Sequence, residues 1–103
     1  MKKYTVIVAR RADEMLLRHV SFLARVSVPA AQRFVEAFDD VKGRLEDNPY
    51  QFPYDTDPCL PADTYRKVIF AKRYKALCVV DDASKQIFLD AVVDCRQDPS
   101  NML

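Results

Sequence analysis

The chain has 103 residues, enough for a single domain over residues 1–103 with one hydrophobic core. Half of the residues are hydrophobic and 30% are charged, which excludes a disordered chain. With 16 Lys and Arg against 15 Asp and Glu the formal net charge is +1, which excludes a protein that coats nucleic acid by bulk charge.

A single glycine, Gly43, excludes the Gly-rich phosphate loops of nucleotide-binding folds. Cys59, Cys78 and Cys95 are odd in number, lack a C-x-x-C spacing, and have only His19 as an imidazole partner. Neither a disulfide framework nor a metal site is expected, no cofactor is expected, and the thiols are expected to be buried and inert. No apolar run approaches the roughly 20 residues of a membrane span. The N-terminal segment is basic and then apolar but turns charged again at Arg10 and Arg11, too soon for a signal peptide. The chain is therefore read as cytoplasmic, with no membrane partner.

Residues 3–9, β-branched and apolar, predict a short, well-buried strand. From Ala12 the period changes: Leu16, Val20, Leu23 and Ala24 recur at helical steps, with Asp13 and Glu14 in the first turn where acids complement the helix dipole. His19 falls off that stripe and reads as a helix-surface residue. Pro29, near the start of a second helix, opens the stripe Ala31, Phe34, Val35, Phe38, Val41 and Leu45, and Pro49 ends it. The short spacing between the two helices predicts an antiparallel hairpin.

Pro49, Pro53, Pro58 and Pro61, interspersed with Asp55, Asp57 and Asp63, predict an irregular acidic loop whose Tyr50, Phe52 and Tyr54 cap the core. Three strands follow, over residues 64–70, 74–81 and 86–94, joined by connections of hairpin length. The order β-α-α-β-β-β predicts an α+β domain: a helical hairpin packed on one face of a small, mixed, mainly antiparallel four-stranded sheet, with the first strand beside a parallel neighbour. Residues 97–103 carry Pro99 and little periodicity.

If the helices cover one sheet face, a site is expected on the other face and its rim. Arg66, Lys67, Lys72, Arg73 and Lys75 fall in a segment that contains no acid, and Arg96 follows the last strand. Alternation puts Lys75 with Leu77 and Val79, and Arg96 with Asp94, Val92 and Asp90. The cations are expected to converge on one rim, a chemistry suited to binding phosphate and stabilising charge on it. Asp90 and Asp94, if paired with Arg96, would neutralise that patch.

The succession of these pieces resembles the RelE/ParE superfamily, the toxins of bacterial type II toxin–antitoxin pairs. The residues that carry the resemblance are Ala12-Asp13-Glu14, Ala30-Ala31-Gln32-Arg33-Phe34, and Leu45-Glu46-Asp47-Asn48-Pro49-Tyr50-Gln51-Phe52-Pro53. They continue with Tyr65-Arg66, Arg73-Tyr74-Lys75-Ala76-Leu77 and Val92-Val93-Asp94-Cys95-Arg96-Gln97-Asp98-Pro99. The resemblance implies a toxin that a cognate antitoxin neutralises by folding around it. It implies either of two targets: a RelE-like enzyme that works with the ribosome, cuts mRNA in the A site and inhibits translation, or a ParE-like inhibitor of DNA gyrase without nuclease activity. A degenerate toxin kept as a repressor component is a third reading. In the ribonuclease reading the resemblance implies catalytic roles for Arg66, Lys75 and Arg96, with Lys67, Lys72 and Arg73 binding RNA, and neither cofactor nor metal. The chain departs from the RelE-like pattern in two respects. Lys75 stands where an arginine is usual, losing the planar fork that grips phosphate in two places. Residues 100–103 supply no Tyr or His as a terminal acid or base.

Overall fold

A computed structural model describes residues 2–96. Its elements run β1 (Thr5–Val8), α1 (Arg10–Val26), α2 (Val28–Asp47), a 3-10 turn (Pro49–Gln51), β2 (Arg66–Phe70), β3 (Tyr74–Asp81) and β4 (Gln86–Asp94). The four strands form one mixed sheet in the order β1-β4-β3-β2, with β1 parallel to β4 and the other pairs antiparallel. The expected α+β architecture is thus present, with its parallel first strand. Residues 97–103, expected to lack periodic structure, lie outside the described residues.

A single residue, Ser27, turns the helical hairpin. Its N–H donates to the Leu23 carbonyl at 2.8 Å, closing α1, and its hydroxyl accepts from the Ala30 N–H at 3.3 Å, opening α2. Pro29 sits in the first turn of α2, where its missing N–H costs nothing. At the far end Asn48 repeats the device: its N–H caps Arg44 at 3.0 Å and its side chain receives the Tyr50 N–H at 3.1 Å, so the chain turns sharply at Pro49.

The main core fills the space between hairpin and sheet. Phe34 of α2 meets Tyr74 edge-on with ring centroids 4.7 Å apart and Phe70 at 5.3 Å, and Phe38 adds a contact to Phe70 at 5.8 Å. Val41 and Leu45 continue the buried stripe, but Val35 is 41% exposed, because a stripe one residue too wide runs past the sheet. The first strand is also less buried than its composition predicts, alternating exposed and half-buried residues, because it forms one edge of the sheet.

Two features depart from a simple hairpin-on-sheet layout. The β3–β4 register slips between Leu77 and Cys78, which leaves Asp90 unpaired and breaks the alternation expected along β4. The second sheet face is not open. Leu60, from the proline-rich loop, packs there with Leu77, Ala91 and Val93, and Met15 and Tyr65 lie against them. That loop is held by aspartates acting as local acceptors: Asp55 takes the Asp57 N–H at 3.0 Å and Asp57 takes the Cys59 N–H at 2.9 Å. Its Tyr54 forms an isolated antiparallel bridge to Arg66, the residue at which β2 begins, two later than the expected residue 64.

Candidate functional site

The six cations singled out in the sequence do not gather on one rim. Lys75 projects from the second sheet face into the cover formed by the loop and is 9% exposed. Its ammonium donates to the Asp55 carboxylate at 2.6 Å. Burial alone would push the Asp55 carboxyl up. Lys75, the Asp57 N–H and the charge of nearby Lys67 outweigh that and hold it below the usual carboxylate range. Lys67 lies directly across from Leu77 in the strand register, so it shares this face with Lys75. Sequence reasoning gave Asp55 no partner, because residues 20 apart in an irregular loop and a strand show no spacing rule that joins them.

Arg96 turns back on its own neighbour. Its guanidinium donates to the Asp94 carboxylate at 3.2 and 3.4 Å, and its backbone N–H adds a third bond at 3.0 Å. Arg73 approaches the same carboxylate at 3.7 Å. Burial raises the Asp94 carboxyl, but the two guanidiniums and the N–H outweigh it and leave Asp94 below its ordinary range. The expected neutralisation of Arg96 therefore comes from Asp94 alone. Asp90, displaced by the slip, accepts from the Tyr65 hydroxyl at 3.2 Å instead. Burial, and then that carboxylate, raise the Tyr65 phenol.

Arg66 points elsewhere again. It pairs across the sheet with Cys78, toward the opposite end of β2 from the Phe70–Tyr74 pair and on the other sheet face from Lys75. One guanidinium nitrogen donates to the Phe52 carbonyl at 2.7 Å, and the plane lies over the Tyr54 ring at 4.2 Å and the Tyr50 ring at 5.0 Å. Of the three loop aromatics expected to cap the core, only Phe52 is buried. Tyr50 and Tyr54 are 49% and 39% exposed and serve as stacking plates for Arg66.

Of the six cations, Arg66, Lys67 and Lys72 make no ion pair among the described residues. Lys72 borders the groove between the hairpin and the β2–β3 turn together with Arg33 and Arg73, a space of about 580 Å³. Arg33 lies in the α2 stretch that carries the family resemblance but was given no role there, and only the packing of α2 against the turn brings it to this groove.

His19 is not a surface residue. Its Nε2 donates to the Val92 carbonyl at 2.9 Å, which fixes the proton on that nitrogen, and its ring meets Tyr74 at 4.9 Å. Beyond Leu89, β4 has no partner in β1, so α1 lies there and His19 satisfies an edge carbonyl. The thiols also divide: Cys78 is buried, and burial pushes it up to about 12, whereas Cys59 and Cys95 are exposed, contrary to the expectation for all three. Among the described residues no three His, Cys, Asp or Glu side chains are grouped so as to hold a metal ion, and no helix is long and apolar enough to cross a membrane.

No protein-family model matches the chain, and no curated protein matches it in sequence. In three dimensions it is similar to a chain of the chromosomal ParDE TA system from P. aeruginosa, with a TM-score of 0.71 over 89% of this chain and 96% of that one. The two are 14% identical. At that distance the likeness is one of fold: this chain has the hairpin-on-sheet architecture of its P. aeruginosa counterpart over nearly the whole of both.

Proposed function

We propose that this chain is the toxin of a type II toxin–antitoxin pair, a cytoplasmic protein that acts as a ParE-like inhibitor of DNA gyrase and that a cognate antitoxin neutralises. Two independent lines support the toxin reading: the resemblance of the sequence to the RelE/ParE superfamily, and the fold it shares with a chain of a ParDE system. One observation carries the choice of a non-nucleolytic target. The buried pairing of Lys75 with Asp55 at 2.6 Å removes the cation that the ribonuclease reading needs most.

The chemistry explains why. Cutting RNA without a metal requires a group to activate the 2′-hydroxyl, charge stabilisation at the phosphate, and an acid for the leaving oxygen. Lys75, hydrogen-bonded to a carboxylate and covered by a loop, is ready for none of these. Arg96 is occupied by Asp94 and Arg66 by the Phe52 carbonyl, so three cations on separate supports face no common phosphate. A protein that acts by contact needs surface rather than chemistry. Phe22, Val26 and Val28, at the tip of the hairpin, are 56%, 75% and 57% exposed, an apolar patch suited to binding another protein.

The test is a pair of assays on the purified chain. In one, gyrase supercoils relaxed plasmid with and without the protein. In the other, a defined mRNA is translated in a cell-free reaction and its new 5′ ends are mapped. Loss of supercoiling with intact mRNA is the expected result. New ends that depend on ribosomes and vanish with Lys75→Ala or Arg96→Ala would overturn it in favour of the RelE-like enzyme, with Arg66, Lys75 and Arg96 in the catalytic roles and Lys67, Lys72 and Arg73 on the RNA.

A further inference from the structure

Strand β2 stops short of its neighbour. Its pairing with β3 begins at Arg66 opposite Cys78, yet β3 runs on through Val79 and Val80 to Asp81. The Lys67 N–H donates away from β3, to the Pro53 carbonyl at 3.0 Å, so it is the peptide groups of Arg66 and Val68 that face β3. By the same alternation Ala76, Cys78 and Val80 turn their peptide groups toward β2. Val80 has no strand residue opposite it, and among the described residues no backbone hydrogen bond from the loop reaches it. Its N–H and C=O therefore open onto a gap in the sheet edge.

The gap is a cavity of about 300 Å³ whose walls include Tyr50, Tyr54, Asp63, Arg66, Val79 and Val80. It holds one cation and one anion, and neither is neutralised. Arg66 has no acidic partner among the described residues, and its place is fixed in advance: the Phe52 carbonyl accepts from one guanidinium nitrogen at 2.7 Å and the Tyr54 ring lies 4.2 Å away. Asp63, exposed on the turn before β2 with φ of 52°, forms neither a hydrogen bond nor an ion pair among the described residues. The half-buried Val79 and Val80 and the exposed part of the Tyr54 ring give the same cavity an apolar side.

From this arrangement we propose that the gap binds a dipeptide with free termini and apolar side chains. The carboxylate lies on Arg66 and the ammonium on Asp63. The peptide unit between them pairs with the Val80 N–H and C=O, taking the place of the β2 residue that is absent there. Each feature selects part of that ligand. A guanidinium receives a carboxylate through two parallel bonds. The Asp63 charge favours an amine and repels a dianion, so a phosphate ester is the weaker fit. The open Val80 peptide group favours a ligand with an amide over a free amino acid. The volume is at the lower end of small-molecule sites, too small for a helix. The site uses none of the hairpin-tip residues that a protein target would meet.

Leu-Leu titrated into the whole isotope-labelled chain, with backbone amide chemical shifts as the readout, tests the proposal. The expected result is saturable shifts centred on Asp63, Arg66 and Val80. N-acetyl-Leu-Leu and Leu-Leu amide each lack one charged terminus and are expected to bind about tenfold more weakly. Asp63→Asn keeps the size of an exposed side chain and is expected to weaken Leu-Leu by about tenfold. The same variant is expected to leave N-acetyl-Leu-Leu unaffected, since the blocked ligand has no ammonium to lose. Arg66→Gln is expected to act in the complementary way, weakening Leu-Leu and sparing its amide. Should Arg66→Gln not fold, Asp63→Asn decides the matter.

Three results would overturn the proposal. One is the absence of shifts at about 10 mM Leu-Leu, a concentration that fills a site of millimolar Kd. Another is equal binding of the peptide blocked at both ends. The third is tighter binding of free leucine or of a nucleoside monophosphate than of Leu-Leu. The titration is read without gyrase or mRNA, so a chain that binds Leu-Leu but leaves both untouched keeps this inference and loses the toxin reading. A chain that inhibits gyrase but ignores Leu-Leu does the reverse.

Discussion

Replacing Asp55 by Asn isolates the buried ion pair with little change in shape, because the amide oxygen can still accept the Asp57 N–H that Asp55 takes at 3.0 Å. The Lys75 and Asp55 side chains are only 11% and 4% exposed, and their charged atoms are 2.6 Å apart. At an effective dielectric constant near 20 their gross attraction is about 6 kcal/mol. Most of it is offset by the cost of removing both charges from water, so the pair adds little over two neutral groups of the same size. Breaking it from one side is another matter, since Asp55→Asn leaves an ammonium under a loop with no counter-charge. We expect a loss of about 3 kcal/mol, the lower part of the range for such changes, because the loop can open to let water reach Lys75. For a domain of this size that is roughly 12 °C in Tm. Lys75→Met strands the carboxylate in turn and is expected to cost a similar amount, while the double variant is expected to return to within about 1 kcal/mol of the parent. Urea unfolding of the four proteins at pH 7, followed by circular dichroism, measures the cycle. Additive losses in the double variant would refute the pairing and, with it, the argument that Lys75 is withheld from chemistry.

Three further outcomes follow from other contacts. His19→Ala removes the donor to the Val92 carbonyl and is expected to destabilise the chain by about 1–3 kcal/mol in the same urea assay, through a backbone acceptor left unsatisfied at the sheet edge. Asp55 and Asp94 both titrate below their ordinary range in the folded chain, so the stability they contribute is present above the unfolded carboxylate value of about 4 and is lost as pH falls through their lower folded values. A Tm series from pH 7 to pH 2 should therefore fall on the acid side, and the variant lacking both Asp55 and Lys75 should fall less. Lys72→Gly relieves the left-handed backbone at φ 72° and is expected to raise stability by about 0.5–1 kcal/mol in the same urea assay.

The elements of the fold were legible because each is announced locally. The helical stripe Phe34–Phe38–Val41–Leu45, the prolines at 29 and 49, and the β-branched runs of the last third are short-range signals, and the elements they predict match those of the structure to within a few residues. The parallel placement of β1 was also readable, because a strand separated from the meander by two helices can reach the sheet only by a crossover. The excess of cations over residues 66–75 was plain in the sequence as well. Where those cations point was not.

Their orientation depends on contacts between residues far apart in the chain. The partner of Lys75 comes from a loop whose path over the sheet is set by the burial of Leu60 against Leu77 and Val93. The slip at Leu77 and Cys78 moves Asp90 away from Arg96 and onto Tyr65, and no alternation rule foretells an extra residue in a strand. His19 looked solvent-facing because the helical stripe gives only the direction of the main core. Its partner is the bare half of β4, exposed because β1 is shorter than β4. Arg33 became a candidate only when the hairpin brought it opposite the β2–β3 turn. Which elements form was readable along the chain, since helices and strands depend on neighbours within a few residues. Which charges are neutralised emerged from the packed fold, because an ion pair depends on distance in space, and chain separation does not encode it.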